Sequence, residues 1–584
     1  MFGISGSPIN RLLFNRYVNR GGRKLLRASR SSYQKLKLTA MNRLWLAGVP
    51  DFDRLLKRVT IGSPVNSDDL LPYLCMNSKQ DRLWVNYSLA VAFHKAGNNK
   101  QALVFIQRVW NFSGQDERYL QLFAAIHVAV DDMASIRGAY KALGIKSAAS
   151  NDVCRALDWF NAWQYVYATY KKSDEYHYDF EVLDCISKLA QPQTLPFQKP
   201  SQHNIGKIRL AYLMFGMREL NSVIVKISLA FAKFHDASKY DVTFFVPDQA
   251  TLVLERKEAA ENIKKIESYG WRVVLAPDSF SEVKSLHGFA KSIYEARPDI
   301  LITNAALADM RHFYITALKP APLVVGLCQG PPPQYIAPSF DWSISWSKHP
   351  MMDCPTHCTL VHGSVELPER RVSTEEAKAS FGIPLNRLVI MSCGRHFKFQ
   401  DQDMWIAILE ILKAHPNVYY VVVGLEAIPK FLEQLLAPDL VGRVKIIERV
   451  KDFVSVLSMA DVVVDTYPSG GGVTVLDAMA IGVPVVAFKN NYMREFSQTD
   501  WSPAEEFMGV PELLVDRGNF TQLGKLLARL LTDHEYRTEM SRRCRERIHE
   551  TSGDPAQMVR DCEAVYLNVI KLNASNLEER DNAF

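Results

Sequence analysis

The chain has 584 residues, 48% hydrophobic and 23% charged, the composition of a folded globular protein with room for three or four domains. No run of 18 or more apolar residues occurs and the N-terminus lacks an apolar signal core, so neither a membrane-spanning helix nor a secretory signal is expected. The net charge of +6 is local: residues 1–50 hold ten Lys/Arg and no acid, which leaves −4 for the rest and argues against nucleic-acid binding by the body.

Residues 1–45 form that basic segment, RLLFNRYVNRGGRKLLRASRSSYQKLKL, broken by Gly21 and Gly22. Its pattern fits peripheral contact with an anionic membrane or polyanion, a solvated tail, or an organellar transit peptide. The nine cysteines are scattered, several inside apolar runs, as expected of reduced thiols in a cytoplasmic protein rather than a disulfide framework.

Residues 46–195 read as a helical domain. YSLAVAFHKAGNNKQALVFIQRVW (87–110) has Ala90, Ala92 and Ala96 before a Gly97-Asn98-Asn99 turn, then Ala102 and Ile106, the spacing of one tetratricopeptide-type helix pair. YLQLFAAIHVAVDDMASIRGAYKALG reads as a degenerate second copy, so helical pairs that bind a partner or buttress a neighbour are expected. PQTLPFQKP (192–200) is a proline-bearing linker.

Beyond it strands alternate with helices. KIRLAYLMFG, YDVTFFVPD, WRVVLAP, DILITN and APLVVGLCQG, with amphipathic stretches between them, predict a Rossmann-like domain over 205–370. RLVIMSCG, VYYVVVG, RVKIIER, ADVVVD and VPVVAF predict a second over 371–572, and the polar residues 573–584 read as a loose tail. The fold class is therefore α/β, two tandem Rossmann-like domains behind an all-α repeat-like domain. Such halves bring their strand C-termini to a shared cleft.

The segment DTYPSGGGVTVLDAMAIGVPVVAF (465–488) carries the chemistry. Gly470, Gly471 and Gly472 allow a sharp turn and close approach of a ligand. The helix starting near Val473 would aim its N–H groups and positive dipole end at a phosphate. Asp477, about one turn in, is placed to accept hydrogen bonds from sugar hydroxyls. Together these describe a nucleotide-sugar site.

Four stretches carry a resemblance: KIRLAYLMFG with YDVTFFV, LKPAPLVVGLCQGPPPQYIAPSFDWSIS, LVIMSCGRHFKFQDQDMWIAILEILKAHPN and ADVVVDTYPSGGGVTVLDAMAIGVPVV. They resemble the GT-B fold and, more narrowly, glycosyltransferase family 41, which contains O-linked N-acetylglucosamine transferase and bacterial adhesin glucosyltransferases. The resemblance covers roughly half the chain, residues 205–490. It implies a metal-independent, inverting transferase moving a sugar, hexosyl or N-acetylhexosaminyl, from a nucleotide donor, a UDP-sugar, to a protein acceptor. It assigns Lys398 to the donor pyrophosphate, with Arg395 beside it in the same loop. Gly470 to Thr474, Val473 included, would hold the phosphates, Asp477 the ribose hydroxyls, and Arg449, Val450 and Lys451 the nucleobase. The family's loop histidine is missing, Arg218 standing roughly in its place, so the base stays open among Asp309, His312 and His362.

Two patterns read as decoys. Asp401-Gln402-Asp403 looks like a metal-binding DxD but opens a helix, where Asp serves as a cap. His349, Cys354, His357, Cys358 and His362 lack a zinc spacing. No cofactor or metal is expected. A polysaccharide or glycolipid transferase, and a catalytically silent helical-repeat scaffold, stay open as alternatives.

Overall fold

The computed structural model describes residues 52–582 except 76–77, 131, 170–179, 199–205, 215–222, 278–279, 281, 305–309, 329–336, 347–357, 395, 400, 449, 451, 468–469, 490–503. These residues fall into two compact units that divide between Tyr170 and Lys171.

The first unit is helical: α1 (Phe52–Thr60), α2 (Ser67–Leu74), α3 (Lys79–Lys95), α4 (Asn99–Ser113), α5 (Leu120–Ala129), α6 (Met133–Ala149) and α7 (Val153–Thr169). Short polar side chains fix where helices begin. Ser78, Asn98 and Asp132 each accept the backbone N–H three residues on, satisfying a group the helix cannot reach itself. The expected pair at 87–110 lies on α3 and α4, which pack together, while α6 packs most extensively on α7. Phe93 stacks on Phe105, ring centroids 5.5 Å apart, inside the first pair.

The second unit opens with α8 (Phe180–Ala190), whose residues the sequence grouped with the helical domain. In the structure α8 packs on α13 (Met310–Ala317), a helix of this second unit. The first sheet has β1 (Ile208–Leu213), β2 (Tyr240–Gln249), β3 (Arg272–Ala276), β4 (Ile300–Thr303), β5 (Leu323–Cys328), β6 (Trp342–Ser345) and β7 (Cys358–Leu360), in the order 3-2-1-4-5-6-7. Between these strands run α9 (Val223–Phe234), α10 (Ala250–Leu254), α11 (Lys257–Ser268), α12 (Val283–Glu295) and α13.

The second sheet follows α14 (Thr374–Ser380). Its strands are β8 (Leu388–Cys393), β9 (Val418–Val423), β10 (Val444–Ile447), β11 (Val462–Val464), β12 (Val485–Phe488) and β13 (Leu514–Val515), in the order 10-9-8-11-12-13. Helices α15 (Gln402–Ala414), α16 (Lys430–Leu435), α17 (Pro438–Val441), α18 (Phe453–Leu457) and α19 (Val473–Ala480) cover it. Both sheets are parallel throughout, and their apolar runs are buried on both faces, as at Val462, Val463 and Val464. Each such valine contributes about 1.5–3 kcal/mol of burial.

The chain ends in α20 (Phe520–Thr532), α21 (His534–Ser552) and α22 (Pro555–Asn582). The expected loose tail over 573–584 is corrected here: α22 runs on to Asn582. Leu577, Glu578, Glu579 and Arg580 are good helix formers, and polarity alone does not end a helix. α22 returns to the first sheet and packs on α9 and β6. The Tyr566 hydroxyl meets that of Tyr212 on β1 at 3.1 Å, and Glu563 Oε1 lies 2.7 Å from His235 Nδ1. Among the described residues no helix is long and apolar enough to cross a membrane.

Candidate functional site

In each sheet the strand order reverses direction beside its first strand: between β1 and β4, and between β8 and β11. Connections leaving two such strands part to opposite faces and open a crevice at their C-terminal ends. The chain leaving β8 passes Gly394 and enters a short 3-10 turn, His396–Phe399, that carries Lys398. The buried indole of Trp405 on α15 donates to the Phe399 carbonyl at 2.9 Å and holds this turn in place. The chain leaving β11 runs through Asp465 to the glycines and into α19.

The two connections meet. The Lys398 ammonium donates to the carbonyl oxygen of Gly470. Asp465, 4% exposed, receives the backbone N–H of Thr466 at 2.8 Å and of Gly471 at 2.6 Å through one oxygen. A Cβ on residue 471 would stand 3.0 Å from that oxygen, so the turn closes with glycine there and little else. No side chain caps α19, whose N-cap is Gly472; the Val475 N–H turns back to the Gly472 carbonyl at 2.9 Å. A fixed cation, a glycine turn and a helix start thus converge on one spot.

Asp477 lies on α19 and is 4% exposed. Both of its oxygens accept from Lys226 Nζ, at 2.9 and 2.8 Å. Burial raises its pKa above the usual carboxylate range, and Lys226 opposes that shift. Lys226 belongs to α9, so the pair joins helices that serve different sheets. Neither Lys226 nor Asp465 was singled out from the sequence. Asp465 had a visible signal, an acid ending a strand before a glycine turn; Lys226 sits 251 positions from its partner and had none.

The other expected residues fare unevenly. Thr474 is half-buried at the start of α19, and Val450 is half-buried just beyond β10. His312 was read as a loop residue; it lies in α13 at 1% exposure, buried with that helix's apolar face. His362 is exposed in the crossover after β7. Arg395, Arg449, Lys451, Asp309 and Arg218 lie outside the described residues, as do His349, Cys354 and His357. Asp401 acts as the cap expected of it, accepting the Met404 N–H at 2.9 Å.

Residues 373–547 match the family described as Glycosyl transferases group 1. This stretch is a glycosyltransferase domain. The match spans β8 to β13 and so contains Lys398, the glycine turn and Asp477. A UDP-N-acetylglucosamine–peptide N-acetylglucosaminyltransferase of Giardia intestinalis is 31% identical over 140 residues, 22% of this chain and 9% of that protein. The chain thus spans under a tenth of that relative's length. The structure is similar to that of a lysine-to-methionine variant of O-GlcNAc transferase from Thermobaculum terrenum. That likeness has a TM-score of 0.54 at 15% identity and covers 89% of this chain and 98% of the other. The glycosyltransferase domain therefore sits in a GT-B arrangement of two Rossmann-like halves with helices before them.

Proposed function

We propose that the chain transfers a sugar from a nucleoside diphosphate donor, UDP-linked, to an acceptor group on a protein, with inversion and without a metal ion. The observation that carries this reading is the meeting of Lys398 with the Gly470 turn at the β8–β11 switch point. Glycosyl transfer leaves charge on the departing diphosphate. A preorganised lysine beside the start of a helix stabilises that charge as it develops. Lys398 thereby takes the place a divalent cation fills elsewhere, and Asp401, the first acid of the DxD pattern, is spent on capping. Gly471, Gly472, Val473 and Thr474 bind the phosphates and Asp477 the ribose.

The Giardia relative's name, with a UDP-sugar donor and a peptide acceptor, supports both substrate classes. The helical unit, α1 to α7, recognises the acceptor in this reading, and the basic residues 1–45 make a peripheral membrane contact.

The test is thermal unfolding of the purified protein with UDP, GDP, ADP and their common sugar conjugates, with and without EDTA. A ligand that binds only the folded state raises the midpoint. Saturable stabilisation by UDP, unchanged by EDTA, is the expected outcome. No response to any nucleotide would favour a silent scaffold instead.

A further inference from the structure

The carboxylate of Asp477 is almost fully buried, yet its hydrogen-bond donor comes from the other Rossmann-like half. Among the described residues its hydrogen bonds come from Lys226 alone, and that lysine reaches it from α9 beside the first sheet. One ammonium spans both oxygens, at 2.9 and 2.8 Å. Each carboxylate oxygen can accept two hydrogen bonds, so one lone pair per oxygen remains. Two adjacent acceptors of that kind match a vicinal diol, the chemistry of a nucleoside ribose.

We propose that Lys226 is a positioning residue of the donor subsite, supplied by the opposite Rossmann-like half, which orients Asp477 toward the ribose diol. The inference rests on the donor-site reading above and adds a residue and a dependence to it. A buried carboxylate without a partner takes up a proton and loses its charge-assisted bonds to hydroxyls. Lys226 opposes this, because an ammonium under 3 Å away favours the charged form.

Other charged groups lie around α19 and its approach. Lys398 and Asp465 bond the turn before it, at Gly470 and Gly471. Arg545 of α21 lies beside Gly482 past its other end, and Arg547 of the same helix bonds the Glu506 carbonyl. None of these hydrogen-bonds the Asp477 carboxylate; Lys226 does. Donor affinity therefore depends on both halves being held together as they are here.

The experiment measures UDP affinity by calorimetry from about pH 6 to about pH 9 for the full chain and four variants. Lys226→Met is expected to weaken binding about tenfold near pH 7, the scale of one charge-assisted bond, and to recover as pH rises and Asp477 ionises unaided. Lys226→Arg, which keeps the charge, is expected to stay within about threefold of wild type. Asp477→Asn, alone or with Lys226→Met, should be weak at every pH, because the titrating group is gone. A Lys226→Met protein equal to wild type, or equally weakened across the range, would overturn the inference and leave the donor site standing. Wild-type protein that binds no nucleotide would overturn both.

Discussion

A Cβ placed on Gly424 would lie 2.2 Å from the carbonyl oxygen of Gly394, so the chains leaving β9 and β8 meet backbone to backbone. Gly424 also has φ +102°, a conformation open to glycine and strained for other residues. The contact matters because Gly394 leads directly into the turn that carries Lys398. Gly424→Ala is expected to cost roughly 2–4 kcal/mol of stability and to displace that turn. Thermal unfolding together with turnover checks it, and a variant as stable and active as wild type would refute the account.

Lys398→Ala removes the cation but leaves the framework around it, since the turn is held independently by Trp405. Turnover should fall about 100- to 1,000-fold, the usual loss of one transition-state charge contact, with the melting temperature little changed. Steady-state kinetics with the donor that the unfolding panel selects, alongside circular dichroism, decides it. Normal turnover would remove Lys398 from the site.

His235 is buried between the Tyr212 hydroxyl, 2.7 Å from Nε2, and Glu563. Burial pushes its pKa below the ordinary 6.5, and Glu563 opposes this. The unfolded chain therefore takes up a proton first as pH falls, and more protons on the unfolded side means lost stability. Stability should be full above about pH 6.5 and decline below it. His235→Gln is expected to be less stable near pH 7.5 by about 1–3 kcal/mol and flatter between pH 7 and pH 5. Denaturant unfolding across that range tests both points; a variant with the wild-type slope would acquit His235.

Much of the second unit was legible because its signals are local. ADVVVD and VPVVAF are short apolar runs bounded by turn residues, and only a buried parallel strand suits them. The glycine turn and Lys398 could be placed because each lies within a few residues of a strand end. What could not be read depends on distance in the chain. Asp477 looked like an acid facing ligand alone, and nothing near it names Lys226. His312 sits nine residues past β4, where loop and helix look alike, and the structure puts it on a buried helical face. The polar residues after 572 read as a tail because they lack the apolar spacing that marks a helix in a sequence, although the helix runs on through them.

The return of α22 to the first sheet has a consequence for biosynthesis. Tyr212 and His235 emerge from the ribosome some 330 to 350 residues before Tyr566 and Glu563, the side chains that close over them. The first Rossmann-like half therefore waits, with part of its apolar face open, until α22 has been made. Cutting the gene between the two halves would not yield two independent folding units, because each fragment would lack a wall supplied by the other.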